Sequence, residues 1–270
     1  TGVDHVNVLN RTRSVVNRDF SAVYNQHFLN YQINADRYVP ILEDGTLLVI
    51  TNPMFTDAIQ PYINWKKQKG INTVLVTTTE TGTTSNAIKT YIQNYYTANP
   101  DLAYIQLVGD AAQVPTLTHG GGGSDPSYVM LLGNDNYPEL FIGRFSAETV
   151  AQAETQVLRS IWYERDITAE DGAWLKKATG IASNEGSGDM GESDIAHMNL
   201  IRTDLLNYGY TSVDQAHAPS ITAATLSNNF NEGRGFINYV GHGDVTYWVT
   251  SNFSNTHVNA LTNDYKLPFI

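Results

Sequence analysis

No cysteine occurs anywhere in the 270 residues. That absence excludes disulfides and thiolate metal sites from this stretch, and it removes any cysteine nucleophile from the residues given. Positive charge is also scarce: 16 Lys and Arg stand against 27 Asp and Glu, for a formal net charge of -11. A nucleic-acid binder needs clustered Lys and Arg for phosphate, so that class is set aside; solubility outside a cell, or dealings with cationic substrates and ions, fit better. No apolar run approaches the length of a membrane span, so no transmembrane segment is expected. The chain opens at Thr1 with neither an initiator Met nor a signal peptide and is read as a processed or trimmed product. What is present, 41% hydrophobic against 16% charged residues, suffices for a large core, as one α/β domain or two halves.

Residues 1 to 45 are rich in Asn, Arg and Tyr with weak periodicity and read as an extension or linker. From Thr46 strands and helices alternate. Leu47 to Ile50 is an apolar run suited to a strand buried on both faces; Asn52-Pro53 then opens a helix with Phe55, Ile59, Tyr62, Ile63 and Trp65 at helical spacing, stopped by Gly70. Thr73 to Thr77 predicts a strand, Ser85 caps a helix carrying Ile88, Tyr91, Ile92 and Tyr95, and Tyr104 to Gly109 predicts a third strand. Gly120 to Pro126 reads as a flexible loop without the lysine and hydroxyl of a phosphate-binding loop. Strands are expected at Tyr128 to Leu132 and Leu140 to Gly143, about the polar turn Asn134-Asp135-Asn136. A helix from Ala147 to about Asp166 leads into a second half: strand Thr179 to Ala182, helices Ile195 to Tyr208 and Ile221 to Phe230, and strand Gly235 to Val240. The alternation predicts an α/β protein with mainly parallel sheets flanked by helices.

The last of these strands runs into Gly241-His242-Gly243. Imidazole titrates nearest neutrality, and the carboxyl end of a strand is where open α/β sheets bind ligands, so His242 is placed for general base or acid work. A turn histidine ending a strand is the plainer alternative. The loop from Ser183 to Asp194 carries four carboxylates among small residues at another strand end. It reads as a solvated loop with Asp194 capping a helix, as a carboxylate for a guanidinium beside one that orients an imidazole, or as oxygen ligands for calcium, although neither it nor Asn134-Asp135-Asn136 has regular calcium-loop spacing. His197 and His257 lack an evident acid partner and read as structural; His5, His27, His119 and His217 lie in polar stretches without metal spacing. Ser193, Ser251 and Ser254 lack the glycine-flanked elbow of a serine nucleophile.

These residues resemble the gingipain family. Gly241-His242-Gly243, Trp248, Thr256 to Asn263 and Leu267-Pro268-Phe269-Ile270 look like the catalytic region of those secreted cysteine endopeptidases of caspase-like fold. The likeness extends in chain order through Trp65 to Gly70, Leu107 to Asp110, Phe141 to Ser146, Tyr163 to Arg165 and Gly191 to Ile195, essentially from Thr46 onward. Gly191-Glu192-Ser193-Asp194 is closer to the arginine-specific branch. The resemblance implies that His242 is the catalytic imidazole, Glu185 the carboxylate assisting it, Gly243 an oxyanion-hole N–H donor and Asp194 the acid that recognises a P1 arginine, with Trp248 on the substrate side. Arg37-Tyr38 resembles the junction at which the propeptide is released.

The expected organisation is thus a prosegment tail at 1–37, a first α/β subdomain at 38–150, and beside it an incomplete second one at 151–270. The family's nucleophilic cysteine belongs on the strand that Phe269-Ile270 begins, so the fragment alone is expected to be inactive. Implied partners are protein or peptide substrates with P1 Arg, the prosegment, and the missing carboxyl-terminal part of the domain. No cofactor is required, structural calcium stays open, and a secreted or cell-surface bacterial location is implied. A sortase-like transpeptidase of the same fold and a catalytically inert binding module are the alternatives.

Overall fold

Six consecutive buried residues, Thr46–Thr51, form the centre of the first sheet. A computed structural model describes residues 16–28, 42–133, 135–186 and 191–270, and two compact units divide the chain, Thr1–Ile161 and Trp162–Ile270. Arg37 and Tyr38 lie outside the described residues.

The first unit opens with a two-residue strand β1 (Val16–Asn17) and helix α1 (Arg18–His27), followed after Leu42–Glu43 (β2) by β3 (Thr46–Thr51). Next come α2 (Thr56–Gln68), β4 (Asn72–Thr77), the short α3 (Thr78–Thr81), α4 (Ser85–Ala98) and β5 (Leu102–Val108). The ribbon strands β6 (Leu117–His119) and β7 (Gly122–Ser124), β8 (Phe141–Phe145) and α5 (Val150–Ile161) complete it. The sheet runs β4-β3-β5-β8, every pair parallel. Alternate residues of β3 serve opposite faces: Leu48 and Ile50 join Ile88, Ile92 and Tyr96 of α4, while Leu47 and Val49 join Ile59 and Ile63 of α2 and Val157 of α5. Each such side chain, fully buried, contributes about 1.5–3 kcal/mol.

Several local expectations shift. The helix after Asn52 begins as a 3-10 turn, Pro53–Phe55, and Asn52 accepts from the Met54 N–H at 3.1 Å. Thr84, not Ser85, caps α4, because its hydroxyl is the one that reaches the third amide along, Ala87 at 3.2 Å. The glycine-rich loop is a β6–β7 ribbon. Instead of a strand at Tyr128 to Leu132, Pro126, which lacks an N–H, leads a 3-10 turn, Pro126–Tyr128, that buries the Tyr128 ring. The long helix is α only over Val150–Ile161 and widens into a π-helical turn at Trp162–Asp166.

Residues read as a linker include α1, which is held down. Asn17 caps it and donates to the Asp44 carbonyl at 2.9 Å, Phe20 stacks on Phe141 at 4.3 Å, and Tyr104 donates to Asp19 at 2.6 Å. Burial and that carboxylate push the Tyr104 phenol up to about 12.

In the second unit β9 (Lys177–Ala182) lies between β10 (Ser212–His217) and β11 (Phe236–Val240), all parallel. Helices α6 (Asp194–Tyr208) and α7 (Ala223–Glu232) link them, and a hairpin of β12 (Tyr247–Trp248) and β13 (Phe253–Ser254) leads into α8 (Asn255–Asn259). Ile181, Ala216, Leu226, Phe230, Ile237 and Phe253 form its core. On the free side of β11, Phe269 pairs in parallel with Phe236, accepting from the Ile237 N–H at 2.9 Å and donating to the Gly235 carbonyl at 3.1 Å. The fold class has the expected elements: α/β, with mainly parallel sheets flanked by helices.

Candidate active site

The ends of β9 and β11 are tied together: the Ser183 N–H donates to the Val240 carbonyl at 2.9 Å, so the loops that follow leave the sheet side by side. This is the edge where parallel sheets present ligand-binding residues. From one loop comes Glu185, from the other His242, and they meet, with His242 Nε2 3.0 Å from Glu185 Oε2. The side chains are 76% and 59% exposed. A pair so exposed contributes only about 0–1 kcal/mol to stability. Its consequence is chemical: a carboxylate beside Nε2 can hold the ring in place and stabilise its cationic form.

Ser183 connects this pair to Asp194. It is buried, and its hydroxyl donates to Asp194 Oδ2 at 2.5 Å while accepting from the Glu185 N–H at 3.1 Å. Asp194 is not the helix cap. Ser193 takes that position, accepting from the Ala196 N–H at 3.2 Å, because its shorter side chain and extended backbone suit the cap while Asp194 is already the first helical residue. The Asp194 carboxylate is half-buried in the first turn of α6.

Two unlike glycines follow β11. At Gly241 (φ +155°) a Cβ would lie 2.4 Å from Thr250 Oγ1, so the fold itself demands glycine. At Gly243 a Cβ would meet nothing within 4 Å, so the missing side chain leaves open space beside the imidazole. Gly243 sits opposite Trp248, between the bonds Val249 N–H to His242 carbonyl (3.0 Å) and Asp244 N–H to Tyr247 carbonyl (2.9 Å). That is the non-hydrogen-bonded position of an antiparallel pair, which turns the Gly243 N–H away from the hairpin. Trp248 is partly buried, one face stacked on Tyr239 at 4.9 Å and 16°.

Of the remaining histidines, His197 departs from expectation and His257 is structural as expected. His197 does have an acid partner: Glu192 lies 2.6 Å from its Nδ1, five residues earlier, where the loop turns into α6 and brings the two side chains together. His257 completes the cap of α8 with Ser254 Oγ at 2.8 Å. His217, at the end of β10, is held below its ordinary value by burial, and its Nε2 has no hydrogen-bond partner among the described residues. Among the described residues no group of three metal-capable side chains gathers; Asn134 and residues 187–190 of the two acidic loops lie outside them. Sequence reasoning missed Ser183 and Tyr239. A small hydroxyl following a buried strand was the available signal for the first, and the (i, i+3) spacing to His242 for the second.

Known proteins share this arrangement of elements. The sequence model of peptidase family C25 matches residues 41–270. Gingipain R2 of Porphyromonas gingivalis is 42% identical over 258 residues, 93% of this chain and 35% of the relative. Among solved structures, the Arg-specific cysteine proteinase gingipain R superposes with a TM-score of 0.81 at 42% identity, over 86% of this chain and 55% of that one. The complex of the Porphyromonas gingivalis RgpB pro- and mature domains gives 0.81 at 42% identity, over 84% and 54%. The chain therefore spans about a third of the curated relative and about half of the solved chains. With the family match covering both sheets and the loops that carry His242, Glu185 and Asp194, the chain belongs to peptidase family C25.

Proposed function

We propose that this chain is the amino-terminal part of the peptidase domain of a cysteine endopeptidase that cleaves after arginine. The observation that carries the reading is the His242–Glu185 pair at the end of β11, with Nε2 engaged. Phe269 starts a parallel partner to β11 on its free side. Parallel partners advance residue for residue, so a strand continuing from Phe269 draws level with His242 about six residues on. The nucleophilic cysteine belongs there, facing Nδ1.

The chemistry follows from these groups. His242 Nδ1 takes the thiol proton and the thiolate attacks the carbonyl carbon of the arginyl residue. The Gly243 N–H donates to the oxyanion. On collapse His242 returns the proton to the leaving amine; water, deprotonated by His242, then hydrolyses the thioester and frees the thiol. Glu185 holds the ring and stabilises its cationic form. Asp194 receives the P1 guanidinium in charge-assisted hydrogen bonds, with Ser183 fixing one carboxylate oxygen. Trp248 supplies an aromatic wall for the arginine stem.

Residues up to Arg37 are assigned to a prosegment released at Arg37-Tyr38, of which Val16–His27 stays docked on the first sheet through Asp19 and Phe20. The likeness to a relative solved with its pro-domain supports this. A secreted or cell-surface location follows from the same kinship, and calcium, where bound, would be structural. The test carries the parent protein through the strand after Ile270 and compares arginyl with lysyl peptides, with and without a thiol-blocking reagent. Thiol-sensitive cleavage after Arg is expected; its absence leaves a binding module, and a product bearing a transferred amine identifies a transpeptidase.

A further inference from the structure

We propose that Tyr239 is a positioning residue for the oxyanion site, orienting and strengthening the Gly243 N–H through the carbonyl of His242; this rests on the peptidase reading above. The Tyr239 hydroxyl lies 2.7 Å from the His242 carbonyl oxygen and 3.0 Å from Thr250 Oγ1. A hydroxyl has one proton, and a carbonyl only accepts, so Tyr239 donates to His242 and Thr250 donates to Tyr239. The Thr250 N–H, 3.4 Å away, points at the same phenolic oxygen. The result is a relay, Thr250 to Tyr239 to the His242 carbonyl, in which each bond polarises the next.

The His242 carbonyl also accepts from the Val249 N–H at 3.0 Å, so two donors hold it from the hairpin side. It shares one planar trans peptide with the Gly243 N–H, and in that unit carbonyl and N–H point in opposite directions. Whatever fixes the carbonyl therefore aims the N–H away from the hairpin. Electron density drawn towards a doubly bonded carbonyl makes the N–H a stronger donor. Gly241 makes the relay possible, since a Cβ there would fall 2.4 Å from Thr250 Oγ1 and 3.0 Å from the Tyr239 oxygen. Ring packing is separable from the hydroxyl: the Tyr239 ring stacks on Trp248, and Tyr239→Phe keeps that contact.

Two measurements test the assignment. In the parent enzyme, Tyr239→Phe is expected to lower kcat about tenfold, a fraction of the loss on deleting an oxyanion donor, with KM changed less than about twofold. In the 270-residue chain, the Gly243 amide proton resonance is expected to move upfield in Tyr239→Phe, and by less in Thr250→Val. An unmoved Gly243 resonance, an unchanged kcat, or a loss confined to KM and thermal stability overturns the proposal. A wild-type parent that cleaves nothing sinks the peptidase reading instead, and the amide shift, which needs no turnover, tells that failure from this one.

Discussion

His242 Nε2 and Glu185 Oε2 stand 3.0 Å apart on loops from two neighbouring strands, both side chains largely exposed. Since the pair adds little to stability, its loss should be felt in turnover and not in folding. In the parent enzyme His242→Ala is expected to abolish labelling by a thiol-directed peptide reagent and to cost 10³-fold or more in kcat, on the order set for a general base. Glu185→Gln, which keeps the shape and loses the charge, is expected to cost about tenfold. Thermal melts should shift by less than about 2 °C for either. Full labelling of His242→Ala would remove it from the mechanism.

Asp194 has one carboxylate oxygen bound by Ser183, so on the proposed reading half of the acceptor for a guanidinium is fixed before any substrate arrives. Asp194→Asn replaces a charged acceptor with a neutral amide that turns a donor towards the cation. The expected result is a fall of about 10²-fold in kcat/KM for arginyl peptides. Ser183→Ala should give a smaller loss in the same parameter. Equal cleavage of arginyl peptides by Asp194→Asn and wild type would place the specificity acid elsewhere.

The parts legible in the sequence were those with one-dimensional signatures. Leu47-Leu48-Val49-Ile50 announces a strand buried on both faces, whereas of the two glycines around His242 only Gly243 leaves open space, Gly241 being required by its φ and by Thr250. Strand β10 was not foreseen, because of Ser-Val-Asp-Gln-Ala-His only Val213 and Ala216 are buried, three apart and so without alternation, in a strand at the sheet edge. Ser183 and Tyr239 escaped for a different reason. Their roles are hydrogen bonds to Asp194 and to the His242 carbonyl, which exist only once the strand ends are tied together. Ser193 took the cap expected of Asp194 by a shift of one residue, a difference that composition does not register.

Among the described residues of the second unit Arg234 is the most deeply buried charge, its side chain 4% exposed, donating to Asp214 at 2.8 Å and to Glu232 at 3.0 Å. Asp214 is the less exposed of its two carboxylate partners, so losing it takes away the better-shielded compensation for the buried charge. Asp214→Ala is expected to destabilise the fold by about 2–4 kcal/mol, read from urea melts. Glu232→Ala, whose carboxylate is 55% exposed, should cost about 1 kcal/mol or less. Equal costs would mean that burial is not what makes this network matter.

At the carboxyl end of the first sheet Asp125 receives two bonds from Arg144, both at 2.7 Å. Burial raises the carboxyl pKa, but the Arg144 and Thr116 hydrogen bonds and the guanidinium charge outweigh it and leave the group below its ordinary value. Its folded pKa is therefore depressed relative to about 3.9 in the unfolded chain. The stability it contributes is fully present above about pH 4 and is lost as pH falls through the lower folded value. Asp125→Asn should flatten that acid limb in pH-dependent urea melts, while an unaltered limb would assign it to other carboxylates.

Gly241 and Gly243 flank the same imidazole but answer to different demands, and alanine at each should separate them. At Gly241 the new Cβ strikes Thr250 Oγ1 at 2.4 Å and the backbone sits at φ +155°, so Gly241→Ala is expected to cost about 1–3 kcal/mol of stability. At Gly243 the Cβ meets nothing within 4 Å, so Gly243→Ala should melt like wild type. On the proposed reading, its methyl group would nonetheless crowd a scissile carbonyl approaching the Gly243 N–H. A fall in kcat/KM of tenfold or more with an unchanged melt is the expected result, since a displacement of about 1 Å at a reacting centre can cost 10²-fold. Wild-type kinetics in Gly243→Ala would mean that substrate does not pass over this face of the loop, and the oxyanion donor would have to be sought elsewhere than at Gly243.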